Sequence, residues 1–218
     1  MKREMLEWFH CEAWEGDKKV LLVGDSIIWG SHRMVEKLVP KGLAVTTVVT
    51  SLGVDEPRFV KGLDLFANID DVEYELVYFN NGLHPHGQTA DEYEQNYKKV
   101  VLELMKLIPS KKWMLGLSTP ISEESGDPSE HSMPITDSDV SEIKKKNALV
   151  IEYNERVRKI ADELGMEYYD AYTLMESKSA LKTDPYHYNE EGRIFFAEAI
   201  SNIIASNINK LRFEIGER

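Results

Sequence analysis

Lys19-Val20-Leu21-Leu22-Val23-Gly24-Asp25-Ser26-Ile27-Ile28-Trp29-Gly30 opens with four apolar residues, too few for a buried helix. A short apolar run with β-branched residues at its ends reads as a central parallel strand covered on both faces. Gly24 stops the strand, and the polar pair Asp25-Ser26 stands where the chain turns. Gly30 and Ser31 follow, then Met34, Val35, Leu38 and Val39 at helical spacing. A strand, a turn bearing Ser and a helix place a hydroxyl at the carboxyl edge of a sheet, where open α/β folds build their sites. The same turn has a plainer reading, in which Asp25 or Ser26 only caps the following helix.

Outward from this unit, the alternation repeats. Ala44–Val49, Leu76–Phe79, Trp113–Leu117 and Met166–Tyr169 read as further strands. Asp55, with Pro57 in the first turn, predicts a cap for the helix after the second strand. Thr89 and Glu92 predict a capping box on an amphipathic helix running to about Ile108, with Tyr93, Tyr97, Val100, Val101 and Leu104 on one face. Val140–Leu164 predicts a helix with Gly165 as its C-cap, and Asn189 caps a last helix through Ile194, Phe195, Ala199 and Ile203. Strands alternating with helices give an α/β three-layer αβα sandwich around a flavodoxin-like five-stranded parallel sheet. Residues 1–17 form an aromatic arm, expected to pack on the single domain of residues 18–218, with a homodimer contact as the alternative. Residues 119–139, polar and long for a connection, predict an active-site loop, with a functional lid or a mobile loop as the two readings.

With 38 acidic against 26 basic residues, the 218-residue chain carries a formal charge of −12. That balance speaks against nucleic acid and anionic membrane surfaces as partners. Cys11 is the only cysteine, and the first residues lack the apolar stretch of a leader, so a cytoplasmic protein without disulfides is expected.

The strand ends gather Ser26, Gly53, Asn80, Asn81 and His84 on one edge, and Asp184 and His187 lie just before the last helix. A serine hydroxyl needs a base to become a nucleophile, and the base needs a carboxylate to hold its tautomer. Asp184 and His187, three residues apart in a turn, supply both. The backbone N–H groups of Ser26 and Gly53 would stabilise the oxyanion formed on attack. His84-Pro85-His86 could also be two metal ligands, but no third lies nearby, so no metal and no cofactor are expected. Asp170 is read as a cap or loop brace, and Trp29, Tyr186 and Tyr188 as pocket lining or core.

These segments resemble the SGNH hydrolases, the GDSL-type esterases. Gly24-Asp25-Ser26-Ile27 stands for the nucleophile block, Gly53 for the glycine of the second, and Asp184-x-x-His187 with Asn189 and Gly192 for the last. The third block departs: in place of Gly-x-Asn-Asp the chain has Asn80-Asn81-Gly82-Leu83-His84. The resemblance implies Ser26 as nucleophile, His187 as base, Asp184 as its partner, and His84 or Asn80 as third oxyanion donor. It implies hydrolysis of short acyl esters, acetyl foremost, on small molecules or carbohydrates. A lysophospholipase or thioesterase, or a non-catalytic ligand-binding module of the same fold, are the alternatives.

Overall fold

The protein is described by a computed structural model covering residues 8–68, 72–84, 87–123 and 137–214, with side chains from 139 to 210 in the last span. Its sheet has six strands in the order β1-β3-β2-β4-β5-β6. The five central and outer strands expected from the sequence are parallel: β2 (Lys18–Gly24), β3 (Leu43–Thr50), β4 (Leu76–Phe79), β5 (Trp113–Gly116) and β6 (Glu167–Tyr169). The sixth is a correction to that reading. β1 (Phe9–Ala13), inside the aromatic arm, pairs antiparallel with β3 and takes the edge. Polar residues interrupt its apolar pattern, so it lacks the continuous run of a strand buried on both faces.

Period-two alternation divides the side chains of β2 between two cores. Leu21 and Val23 join a cluster with α2 (Phe59–Ala67), α3 (Ala90–Leu107) and α4 (Asp137–Leu164). Val20 and Leu22 face α1 (Ser26–Leu38), α5 (Ala171–Glu176) and α6 (Glu190–Glu214). The result is a mixed α/β sandwich with helices on both faces. The capping box at Thr89 and Glu92 is formed, Gly165 turns the chain at φ 65°, and Asn189 Oδ1 accepts from Gly192 N at 3.0 Å. Asp55 does not cap α2: Arg58 holds that position without a side-chain bond, and Asp55 accepts from Gln88 Nε2 instead. The single turn of α5 and the 3-10 turn Ser179–Leu181 fall where the sequence suggested only a loop. Most of the loop expected at 119–139 lies outside the described residues.

Candidate active site

Helix α1 starts at Ser26 itself, earlier than the apolar pattern indicated. Asp25 is its N-cap, with Oδ1 accepting from Ile27 N at 2.9 Å. So the plainer reading holds for Asp25 while Ser26, one residue on, is left facing the edge. A Cβ on Gly24 would collide with Ile28, which explains the glycine at the strand's end. Ser26 Oγ lies 2.8 Å from His187 Nε2, and His187 Nδ1 lies 2.7 Å from Asp184 Oδ2. Asp184 Oδ1 accepts the backbone N–H groups of Tyr186 and His187, both at 2.8 Å. Nε2 therefore faces the hydroxyl while Nδ1–H is held by a carboxylate, the arrangement in which imidazole accepts a proton from serine.

The charges follow this geometry. Burial opposes ionisation of Asp184, but hydrogen bonds from the His187 ring and from the His187 and Tyr186 N–H groups outweigh it, holding the carboxyl well below its ordinary range. The hydrogen bond to Asp184 raises the pKa of His187 above its usual value. Burial works against that rise, and the charges of Asp184 and Asp25 add to it. Burial also raises Asp25, against attraction to His84, the Ile27 N–H and His187.

Lys182 was not anticipated. It is 1% exposed, and its Nζ donates to the carbonyls of Pro120 at 2.7 Å, Pro185 at 3.0 Å and Tyr186 at 3.4 Å. The ammonium lies 4.4 Å from the Tyr188 ring centroid. Burial brings its pKa down to about 8, with Asp184 opposing. A single lysine thus ties the turn that carries His187 to the end of β5. One lysine among polar residues leaves no periodic signal; its place only one residue before the Thr183–His187 turn was the available hint.

The candidates for the oxyanion differ in the donors they have left. Gly53 is buried after β3. Asn80 Nδ2 donates to Gly116 O at 2.8 Å and Ser118 Oγ at 3.3 Å, so both amide hydrogens are spent inside the fold. Asn81 Nδ2 donates to Leu52 O at 2.9 Å. Between them and His84, Gly82 leaves room for Ser118, with which a Cβ would collide. His84 stands near Asp25 and meets Trp8 edge-on, centroids 6.4 Å apart. His86 lies outside the described residues, and among the described residues no three His, Cys, Asp or Glu side chains cluster to hold a metal. Asp170 caps α5 through Thr173 N and pairs with Arg158. Trp29 stacks between His10 and His32.

One cavity borders the Ser26–His187 pair, and a second reaches Tyr186, the residue before His187. The first, of about 290 Å³, is lined by Ser26, Ser31, His187, Tyr188 and Arg193 among others. The second, about 320 Å³, is lined by Gly82, Leu83, Lys146, Tyr153 and Tyr186 among others. No helix among the described residues is long and apolar enough to cross a membrane.

Comparison with solved structures gives the same architecture. A carbohydrate acetylesterase from Sinorhizobium meliloti superposes with a TM-score of 0.65 at 15% identity, covering 87% of this chain and 99% of its own. The native aryl esterase of M. smegmatis gives 0.63 at 12%, covering 87% and 99%. A lipase/acylhydrolase from Enterococcus faecalis gives 0.63 at 14%, covering 87% and 96%. No curated protein sequence matches significantly. The family model of the GDSL-like lipases and acylhydrolases matches residues 86–200, a span that includes Asp184 and His187 and leaves out the turn of Ser26. The chain belongs to the GDSL-like lipase/acylhydrolase family and is a carboxylic ester hydrolase acting on small-molecule esters.

Proposed function

We propose that the protein is a serine esterase that removes short acyl groups, acetyl foremost, from small or carbohydrate alcohols through an acyl-enzyme. The observation that carries this reading is the continuous relay Ser26 Oγ–His187 Nε2–His187 Nδ1–Asp184 Oδ2, at 2.8 and 2.7 Å. His187 takes the Ser26 proton as Oγ bonds to the ester carbonyl carbon. The oxyanion is held by the N–H groups of Ser26 and Gly53. His84 is the third donor, because the amide of Asn80 is committed to Gly116 and Ser118. Collapse breaks the bond to the alcohol oxygen, which leaves with the proton from His187. Water then attacks the acyl carbon, giving its proton to His187. The acid departs and Ser26 recovers its hydrogen.

The small cavity beside Ser26 and His187 supports a short acyl group, and the acetylesterase and aryl esterase of the same fold point the same way. The test is hydrolysis of p-nitrophenyl acetate, butyrate and decanoate and of acetylated sugars by the wild type and by Ser26→Ala. Acetate should be preferred, and the variant should be inactive. A preference for decanoate would move the enzyme to the lysophospholipase or thioesterase class, and an active Ser26→Ala would remove the nucleophile.

A further inference from the structure

The cavity beside Ser26 has an unusual wall. Its volume of about 290 Å³ sits near the lower bound of small-ligand pockets. Ile27 and Phe196 give it an apolar side, while Ser31 and Arg193 add polar groups. Arg33, Arg58, Arg156 and Arg158 each face a carboxylate of this acidic protein. The guanidinium of Arg193 makes no ion pair or hydrogen bond among the described residues, although Glu190 and Glu191 stand on the same helix turn. The stem of Arg193 crosses Gly30, where a Cβ would stand 3.2 Å from Arg193 Cδ, so the absent side chain gives the arginine its bed along the cavity. Independently, Ser31 is 2% exposed and its Oγ has no hydrogen-bond partner among the described residues. A buried hydroxyl left without a partner inside a helix is uncommon, and here the residue lines the same cavity.

We infer that this cavity is a carboxylate-accepting subsite, in which Arg193 binds an acid group of the substrate and selects esters carrying one. The inference rests on the serine esterase reading above. A guanidinium offers two parallel N–H donors that match a carboxylate. Lining a cavity that is also lined by Ser26 and His187, it would recognise an acid group a few bonds from the scissile carbonyl. The acid group can sit on the acyl side, as in a succinyl ester, or on the alcohol side. The ligand chemistry is the same in both, and the assay separates them.

Rates would be measured on p-nitrophenyl acetate, p-nitrophenyl hemisuccinate and 4-acetoxybenzoate with the wild type, Arg193→Gln and Arg193→Glu. For one of the two acidic esters, kcat/KM relative to acetate should fall about fivefold to tenfold in Arg193→Gln, mainly through KM, and further in Arg193→Glu. A fall with hemisuccinate places the acid on the acyl side, and a fall with 4-acetoxybenzoate on the leaving side. Unchanged ratios, or an equal loss on all three esters, would overturn the subsite. A wild type inactive on all three would count against the esterase reading instead, and binding then decides the subsite. Calorimetric titration of monomethyl succinate into Ser26→Ala should show affinity at least fivefold higher than into Ser26→Ala/Arg193→Gln. Equal affinity, or no binding to either protein, would overturn it.

Discussion

The turn that carries Ser26 is continuous with the centre of the sheet, whereas the turn that carries His187 belongs to no strand. Gly24 is in register with Val49, Asp25 is 1% exposed and caps α1, and apolar cores lie on both sides of β2. The side chains of Asp184 and His187 are 42% and 46% exposed. They are held by hydrogen bonds to the backbone and by one buried lysine. The first turn is placed mainly by apolar burial, which itself hardly depends on pH, with the buried carboxyl of Asp25 as its cap. The second is placed by charged and polar contacts, whose strength changes with protonation. Damage to the two turns should therefore read out differently.

The largest effects come from the two atoms that meet. Ser26→Ala and His187→Ala should each lower kcat by about 10⁴-fold or more. Thermal unfolding should hardly move, because neither side chain fills a core. Activity near wild type in either folded variant would break the relay.

Asp184→Asn comes next, with a loss on the order of 10²- to 10⁴-fold. It also tests the pH dependence of the exposed turn. The hydrogen bond with Asp184 is the largest cause of the raised pKa of His187. A base works when neutral, so activity should be present above that pKa and fall as pH drops through it, with a midpoint above about 6.5. In Asp184→Asn the acid limb should slide down. A pH–rate profile whose limb stays in place would mean that Asp184 does not set the proton affinity of His187.

His84 sharpens the comparison from the sheet side. His84→Ala should cost about 10²- to 10³-fold in kcat with KM little changed, and His84→Asn should recover part of the loss. If Asn80→Ala cost more than His84→Ala with the fold intact, the donor would be the amide and not the ring.

How much of this was legible follows the same division. The strand of Val20–Val23, the turn at Asp25-Ser26 and the capping box at Thr89 leave local marks, because burial on two faces and cap chemistry act over a few residues. Asp184 and His187 were legible through spacing within one turn. β1 was not, since an edge strand needs only one partner and need not be apolar throughout. The distinction between Asn80 and His84 was beyond sequence too: it depends on Gly116 and Ser118, more than thirty residues away. Asp55 carried the mark of a cap, yet its carboxylate went to Gln88, a tertiary contact that local propensity does not contain.

The smallest effect expected concerns Lys182, and it reports most directly on how the His187 turn is held. Lys182→Met keeps the length of the side chain but removes the donor shared by Pro120, Pro185 and Tyr186. The turn should loosen without losing its catalytic groups, so kcat should fall about tenfold to a hundredfold through misplacement of His187. A merely structural lysine would give the same loss of stability at every pH, which is where the two roles part. In the folded protein burial brings the Lys182 pKa down to about 8, while in the unfolded chain it returns to about 10.4. Between those values the unfolded state holds a proton that the folded state has released, so this group's contribution to stability increases as pH rises through the window. Below pH 8 both states are charged, and the folded protein bears the burial cost of the ammonium in full. The stability of the wild type relative to Lys182→Met should accordingly rise between pH 8 and 10, by about 3 kcal/mol at most. The buried tyrosines titrate in both proteins and cancel in the difference. Urea unfolding of both proteins at pH 7.5 and 9.5 measures it. Parallel stability profiles would show that the ammonium is not desolvated at the Pro120–Tyr186 clamp, and the pH dependence of the His187 turn would then be left to Asp184 and His187.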